Sequence, residues 1–235
     1  MMETGVCTIE HHAAMYGFLA REAIRAGLEG RRALSVATQR YGWERGARMA
    51  EYADHEHLEH TMETYALFKE WRPPQPGQCV PGESIKSPHY LTSVVRCEWA
   101  ETWKKYDLLP YAKTYCLYVD KALVKGFNAA LELDIPANLS FGDEYCEFNW
   151  GYDRSPEKER WLNELKTQIG EKYVRDFTFH TAHLYCCISR VLREELSEVG
   201  EQICAAGLRC YVEMFGEPYV EALKAAAAEN DWEFR

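Results

Sequence analysis

No run of about 18 apolar residues occurs in this chain, so it offers no helix able to cross a bilayer. Basic residues are in deficit: 27 Lys and Arg against 37 Asp and Glu give a formal net charge of −10. That balance argues against a nucleic-acid backbone as partner, because binding phosphates needs a basic patch. The P-loop, the GxGxxG turn and the GxSxG elbow are all missing, which leaves nucleotide, dinucleotide and serine-hydrolase readings without support. Short CxxC spacing is absent as well, and with it the strongest sequence sign of a zinc site. The opening Met1-Met2-Glu3-Thr4-Gly5 lacks the basic and then apolar regions of an export signal. The expectation is a cytoplasmic protein with reduced thiols.

What the chain does have is size, apolar content and sulfur. Its 235 residues are 47% apolar and 27% charged, enough to bury a sizeable core. There are nine cysteines. Most are expected to be packing residues, since a free cysteine behaves as a small hydrophobe. Cys97 closes the strand-like run 91–99 and Cys146 lies in a second run, 144–150. Strand alternation puts Val95, Cys97 and Trp99 on one face, and Cys146, Phe148 and Trp150 on another. The stretch between them is helical and carries Cys116 and, one turn on, Asp120. If both apolar faces pack on the helix stripe, the three thiols approach one pocket.

The spacing predicts helices over residues 8–71, with a break at Gly27 and Gly30, weak interruptions at Gly42 and Gly46, and a third helix from about 49 to 71. The run Arg72-Pro73-Pro74-Gln75-Pro76-Gly77, continuing to Pro81-Gly82, reads as a loop of about fifteen residues that could cover a site. Residues 88–152 read strand, helix, strand, with Asp107 as helix cap, Pro110 in the first turn and Gly142-Asp143 as a turn. Ser155-Pro156 opens a second helical region, with further helices over 177–196, 199–215 and 217–228. The fold class expected is α+β, mostly helical, with a small antiparallel sheet (about 88–99 and 140–150) packed between helices. It is read as a single domain over 1–235, made of N-terminal helices (1–71), a strand-helix-strand core (88–152) and a C-terminal helical layer (155–235). The flanks also resemble each other: His11-His12-Ala13-Ala14-Met15-Tyr16 parallels His180-Thr181-Ala182-His183-Leu184-Tyr185, followed by Arg21 and Arg190, Gly30 and Gly200, Tyr41-Gly42 and Phe215-Gly216.

Chemistry has several candidate seats. A thiol at Cys116 or Cys146 can attack an electrophilic carbon, and a carboxylate at Asp120 or Asp143 can activate water or hold a cation. The plainer reading makes Cys116 core and pairs Asp120 with Lys113 or Lys121 at a solvated edge. Asp54-His55-Glu56-His57-Leu58-Glu59-His60 is dense in metal-ligating types but does not supply HExxH, and a solvated helix accounts for it. No metal or cofactor is expected; zinc held by three thiolates and a histidine is the alternative.

Several segments together resemble the L-2-amino-thiazoline-4-carboxylic acid hydrolase family over roughly residues 10–150. They are the stretch Tyr41 to Ala50, Arg96-Cys97-Glu98-Trp99, Tyr115-Cys116-Leu117-Tyr118-Val119-Asp120, Gly126-Phe127-Asn128 and Leu139 to Phe148. The resemblance implies a hydrolase that opens a small cyclic amidine at a C–N or C–S bond, with a small-molecule substrate. On that reading Cys116 or Cys146 is the nucleophile, and Asp120 and Asp143 are amidine-holding acids or bases. Asn128 orients the substrate, Cys97 and Trp99 line the pocket, and His11, His12 or Arg96 meets a substrate carboxylate. Abundant aromatics are compatible with a homo-oligomer; neither a membrane nor nucleic acid is expected as partner. The rival is a non-catalytic small-ligand or metal sensor with a thiol-lined pocket, since the cysteine-bearing strand-helix-strand also looks like vinyl-reductase-type ligand-binding modules. The third reading is a structural interaction protein whose cysteines are all core.

Overall fold

The computed structural model describes residues 5–235, and its elements are helices α1 (Ile9–Arg25), α2 (Leu28–His55), α3 (Met62–Tyr65), α4 (Glu98–Lys105), α5 (Leu109–Phe127), α6 (Pro156–Ile169), α7 (Phe177–Leu196), α8 (Glu198–Phe215) and α9 (Glu217–Glu229), with strands β1 (Cys79–Ile85), β2 (Leu91–Cys97), β3 (Asp134–Ala137) and β4 (Cys146–Asn149). The fold is α+β, mostly helical. By its internal contacts the chain resolves into two compact units. The first takes the chain up to Tyr41, Glu98–Tyr118 and Arg175–Arg235; the second takes Gly42–Cys97 and Val119–Val174. Helices α2 and α5 each contribute one part to each unit.

In the first unit α1 is the central element. Ile9, Ala13, Ala14, Met15, Tyr16 and Leu19 have no exposed surface. Small residues let neighbours close in. A Cβ at Gly17 would lie 2.7 Å from the Leu108 side chain, and one at Gly207 on α8 would lie 2.8 Å from Leu19. Trp103, fully buried, donates its indole N–H to the Ala13 carbonyl at 2.8 Å, so its polar end is satisfied as burial requires. The likeness between the flanks has a structural counterpart at two helix corners. A Cβ at Gly30, early in α2, would overlap the carbonyl oxygen of Ala23 in α1, and one at Gly200, early in α8, would overlap that of Leu192 in α7. The likeness stops at the far ends: Gly216 terminates α8 at φ +92°, whereas Gly42 lies inside an unbroken α2.

The second unit turns on three glycines. A Cβ at Gly42 would lie 2.7 Å from the Val119 carbonyl oxygen; one at Gly46 would overlap the Leu123 oxygen, and one at Gly126 the Trp43 oxygen. The second part of α2 therefore packs backbone to backbone against the second part of α5, a contact that only glycine allows. Gly42 and Gly46 were expected to interrupt the helix weakly. Their helical cost, about 1 kcal/mol each, is outweighed by tertiary packing, and α2 runs through to His55.

The sheet has order β1-β2-β4-β3, all antiparallel. Four expectations change here. First, the supposed loop after Arg72 contains strand β1, and Pro81 and Gly82 lie inside it at the sheet edge, where a missing N–H and local irregularity are tolerated. Second, Trp99 is not on a strand: β2 ends at Cys97 and α4 begins at Glu98. Third, Asp107 does not cap α5. It takes a positive φ of 54° in the tight link, and Leu108 precedes the helix. Fourth, the helix foreseen over 49–71 is the end of α2, a turn, the short α3 and a 3-10 turn at Ala66–Phe68. Other features hold. Ser155 accepts a hydrogen bond from the Lys158 backbone and Pro156 opens α6. Gly142 turns the chain at φ +103°, and the last three helices run nearly as the pattern predicts.

Candidate active site

The second unit gathers charge around Asp120. The glycine-mediated crossing brings Arg45, between Gly42 and Gly46 on α2, into electrostatic range of Asp120 on α5. Lys69, just beyond the 3-10 turn, joins them. Asp120 keeps some accessible surface but is densely surrounded, and desolvation raises its carboxyl pKa while Arg45 and then Lys69 work against the rise. Lys69 is an exposed residue taken whole, whereas its ammonium is desolvated and its pKa falls for that reason. Asp120 and Cys79 hold its charge in place, while Arg72 and Lys166 oppose it. The Tyr65 phenol, buried nearby, is pushed up by burial and by the charge of Asp120.

Behind this group lies a carboxylate with no exposed surface, Glu70. Arg48 donates to both its oxygens, Nε at 2.6 Å and Nη2 at 3.1 Å, and Arg45 Nε donates at 3.1 Å. Bidentate pairing of this kind is strong and directional. Two guanidiniums share one carboxylate, so the triad carries a net positive charge beside Asp120.

Cys146 sits in β4 opposite Val94 of β2. It is buried, and its sulfur accepts a hydrogen bond from the Leu139 N–H at 3.3 Å. Burial raises its pKa, the Leu139 N–H lowers it, and the charges of Asp120 and Asp143 raise it further. At neutral pH Cys146 is a protonated thiol in electrostatic contact with Asp120, not a thiolate. Asp143 accepts from the Asn138 N–H at 2.6 Å and so braces the turn into β4.

Cys97 reaches the same sheet face by an irregularity. Cys79 pairs with Cys97, Val80 with Arg96 and Pro81 with Val94, so Val95 is looped out as a bulge and is 47% exposed. Counting along the ladder puts Cys97, Val94 and Cys146 on one face and Arg96 on the other. The Arg96 guanidinium donates to the Gly77 carbonyl. Asn128 is engaged at both ends of its amide: its NH₂ donates to the His60 carbonyl at 2.7 Å and its oxygen accepts from the Ala130 N–H at 2.9 Å.

The remaining candidates belong to the first unit. His12 is buried, with Nε2 3.2 Å from the Tyr115 hydroxyl and its ring edge-on to Trp99 at 5.9 Å. Tyr41 lies 6.1 Å from His12 and 5.2 Å from His183, ring to ring, so the histidines of α1 and α7 flank one tyrosine. His11 has a different task. Its Nδ1 accepts from the Thr8 N–H at 3.1 Å at the start of α1, and its ring stacks on Tyr219. Cys116 lies within electrostatic range of the buried Tyr16. Among the described residues no three His, Cys, Asp or Glu side chains are grouped to hold a metal ion.

Sequence reasoning picked out Asp120 and Cys146 but missed Arg45, Lys69, Glu70 and Tyr65. Arg45 had a signal: a cation between two glycines four apart, in a stretch already singled out. Lys69 and Glu70 had none, since only the tertiary fold carries the end of the α3 region to α2 and α5.

The fold and this cluster define an α+β protein with a desolvated carboxyl held among cations. Residues 8–150, more than half the chain, match the model of the L-2-amino-thiazoline-4-carboxylic acid hydrolases, and the chain belongs to that family. No match was found among curated proteins or among solved structures. The family match ends at residue 150, so helices α6 to α9 lie outside it.

Proposed function

We propose that the protein hydrolyses a small cyclic amidine bearing a carboxylate, of the 2-aminothiazoline-4-carboxylate type, with Asp120 as the central acid–base group. The observation that carries this reading is the desolvated Asp120 carboxyl facing Arg45 and Lys69. A zwitterionic substrate presents an amidinium and a carboxylate; Asp120 complements the first and the Lys69 ammonium the second. The amidine carbon between sulfur and two nitrogens is electrophilic, more so when a ring nitrogen is protonated. Asp120, ionised, takes a proton from a water molecule as its oxygen bonds to that carbon. The resulting Asp120 carboxylic acid then gives the proton to the ring atom that leaves. Water is consumed, the ring C–N or C–S bond breaks, and a carbamoyl product forms. A carboxyl whose pKa lies above the usual carboxylate range is suited to both halves of this exchange.

Activated water fits better than direct attack by Cys146, because that thiol is held protonated by burial and by neighbouring carboxylates. Cys146 and Tyr65 then serve as walls that exclude bulk water and strengthen the electrostatics.

The test is incubation of the purified chain with L-2-aminothiazoline-4-carboxylate, following ring opening by mass spectrometry and released thiol by colorimetry. Expected are turnover by the native chain, a loss of about 10²–10⁴-fold in Asp120→Asn, and a raised KM with modestly changed kcat in Lys69→Met. Thiol release reports C–S cleavage, and its absence alongside product reports C–N cleavage. Retention of full activity by Asp120→Asn would sink the mechanism. Tight binding of the same compound without turnover would favour a ligand sensor.

A further inference from the structure

We propose that Cys79 and Cys97 form a dithiol–disulfide site that exchanges with small-molecule disulfides. They are the first residue of β1 and the last residue of β2, and they are direct partners in the antiparallel ladder. Residues directly opposed in such a ladder have Cα atoms about 4.5–5.5 Å apart. A disulfide accepts about 4.4–6.8 Å. Opposed side chains also project from the same face, so the two sulfurs meet without a shift in register. Cys79 and Cys97 are half-buried, whereas Cys7, Cys146, Cys186, Cys187 and Cys204 are buried. A small disulfide therefore reaches this pair more readily than most of the other thiols.

The surroundings select the attacking sulfur. The Lys69 ammonium and a thiolate at Cys79 attract each other, which favours the nucleophilic form of Cys79. That thiolate attacks one sulfur of a disulfide RSSR, forming a Cys79–S–SR mixed disulfide and expelling RS⁻. Cys97, its proton passed to solvent, attacks the Cys79 sulfur and expels the second RS⁻. Two cysteine thiols are oxidised to one disulfide and one RSSR is reduced to two thiols; an excess of reducing thiol reverses both steps. Oxidation also removes the thiolate partner of Lys69, the cation beside Asp120.

The experiment uses the full chain in its native state with oxidised glutathione, read by intact mass, iodoacetamide labelling and peptide mapping, and it needs no turnover. Its outcome is thus separate from that of the hydrolase reading. Expected is the loss of two labelled thiols, recovery of a cross-linked Cys79–Cys97 peptide, and return of both thiols with dithiothreitol. Cys79→Ser and Cys97→Ser, conservative changes at the ends of two paired strands, should each lack the cross-link, and the remaining thiol of the pair should stop at one stable glutathione adduct. The proposal is overturned if native chain treated with glutathione disulfide still labels fully at Cys79 and Cys97. It is equally overturned if native chain accumulates the same stable adduct as the single variants.

Discussion

The carboxylate of Glu70 is held through both oxygens by Arg48, at 2.6 and 3.1 Å, with none of its surface open to water. Such a group costs several kcal/mol to bury and persists because its cations are hydrogen-bonded to it. Replacing Glu70 with Gln leaves Arg45 and Arg48 facing a neutral amide. The expected loss is about 3–5 kcal/mol of stability, read as a lowered midpoint in urea denaturation. A loss below about 1 kcal/mol would mean that the two guanidiniums find other anions.

Asp120 sets the pH dependence of the proposed reaction. Its carboxyl is raised above the ordinary 3.8 by desolvation, against Arg45 and Lys69. The ionised form is the working base, so kcat/KM should rise with pH through the raised pKa and flatten above it. In Lys69→Met one of the two opposing cations is gone, and the acid limb should move to higher pH. An unmoved limb would show that another group controls it.

Stability should carry a histidine signature at mildly acid pH. His11 is pushed down from 6.5 to about 4, first by desolvation, with Glu10 opposing. Between those two values the unfolded chain binds the proton and the folded chain does not, so stability falls as pH drops from about 6.5 to about 4. In His11→Gln the side chain can still reach back to the Thr8 N–H, since glutamine serves at this capping position. That variant should match the native chain near pH 7 and lose less of its stability across the window, as measured by thermal melts.

Gly46→Ala tests the helix crossing. The new methyl would overlap the Leu123 carbonyl oxygen, a main-chain atom that cannot rotate away. Overpacking of this kind costs about 1–3 kcal/mol, and here the displacement also separates Arg45 from Asp120. Activity is expected to fall more than stability alone explains, with the comparison made well below the melting temperature.

Where a local signal governs the structure, the sequence is readable. Ser155 followed by Pro156 starts a helix because one side chain caps it and the other needs no N–H partner. The helices beyond 177 follow from apolar periodicity. Local signals mislead where tertiary contacts overrule them. Gly42 and Gly46 look like breaks until the opposing backbone of α5 is known, and Pro81-Gly82 looks like loop until the edge position of β1 is known. Val95 breaks the strand alternation by bulging, which no spacing rule reveals. At the site, Asp120 and Cys146 stand out as residue types, but their company does not. Lys69 and Glu70 acquire meaning only through contacts with residues distant in sequence.

The three glycines of α2 and α5 have one more implication. Arg45 lies one residue from Gly46, and Asp120 one residue from Val119, whose carbonyl faces Gly42. The touching main chains therefore fix where the Arg45 and Asp120 backbones sit, and the Glu70 carboxylate holds the Arg45 guanidinium from the other side. Neighbouring residues can change size while the separation of those two backbones stays the same. On the proposed reaction such a crossing works like a fixed jaw, with other ring systems admitted by changing the residues around it.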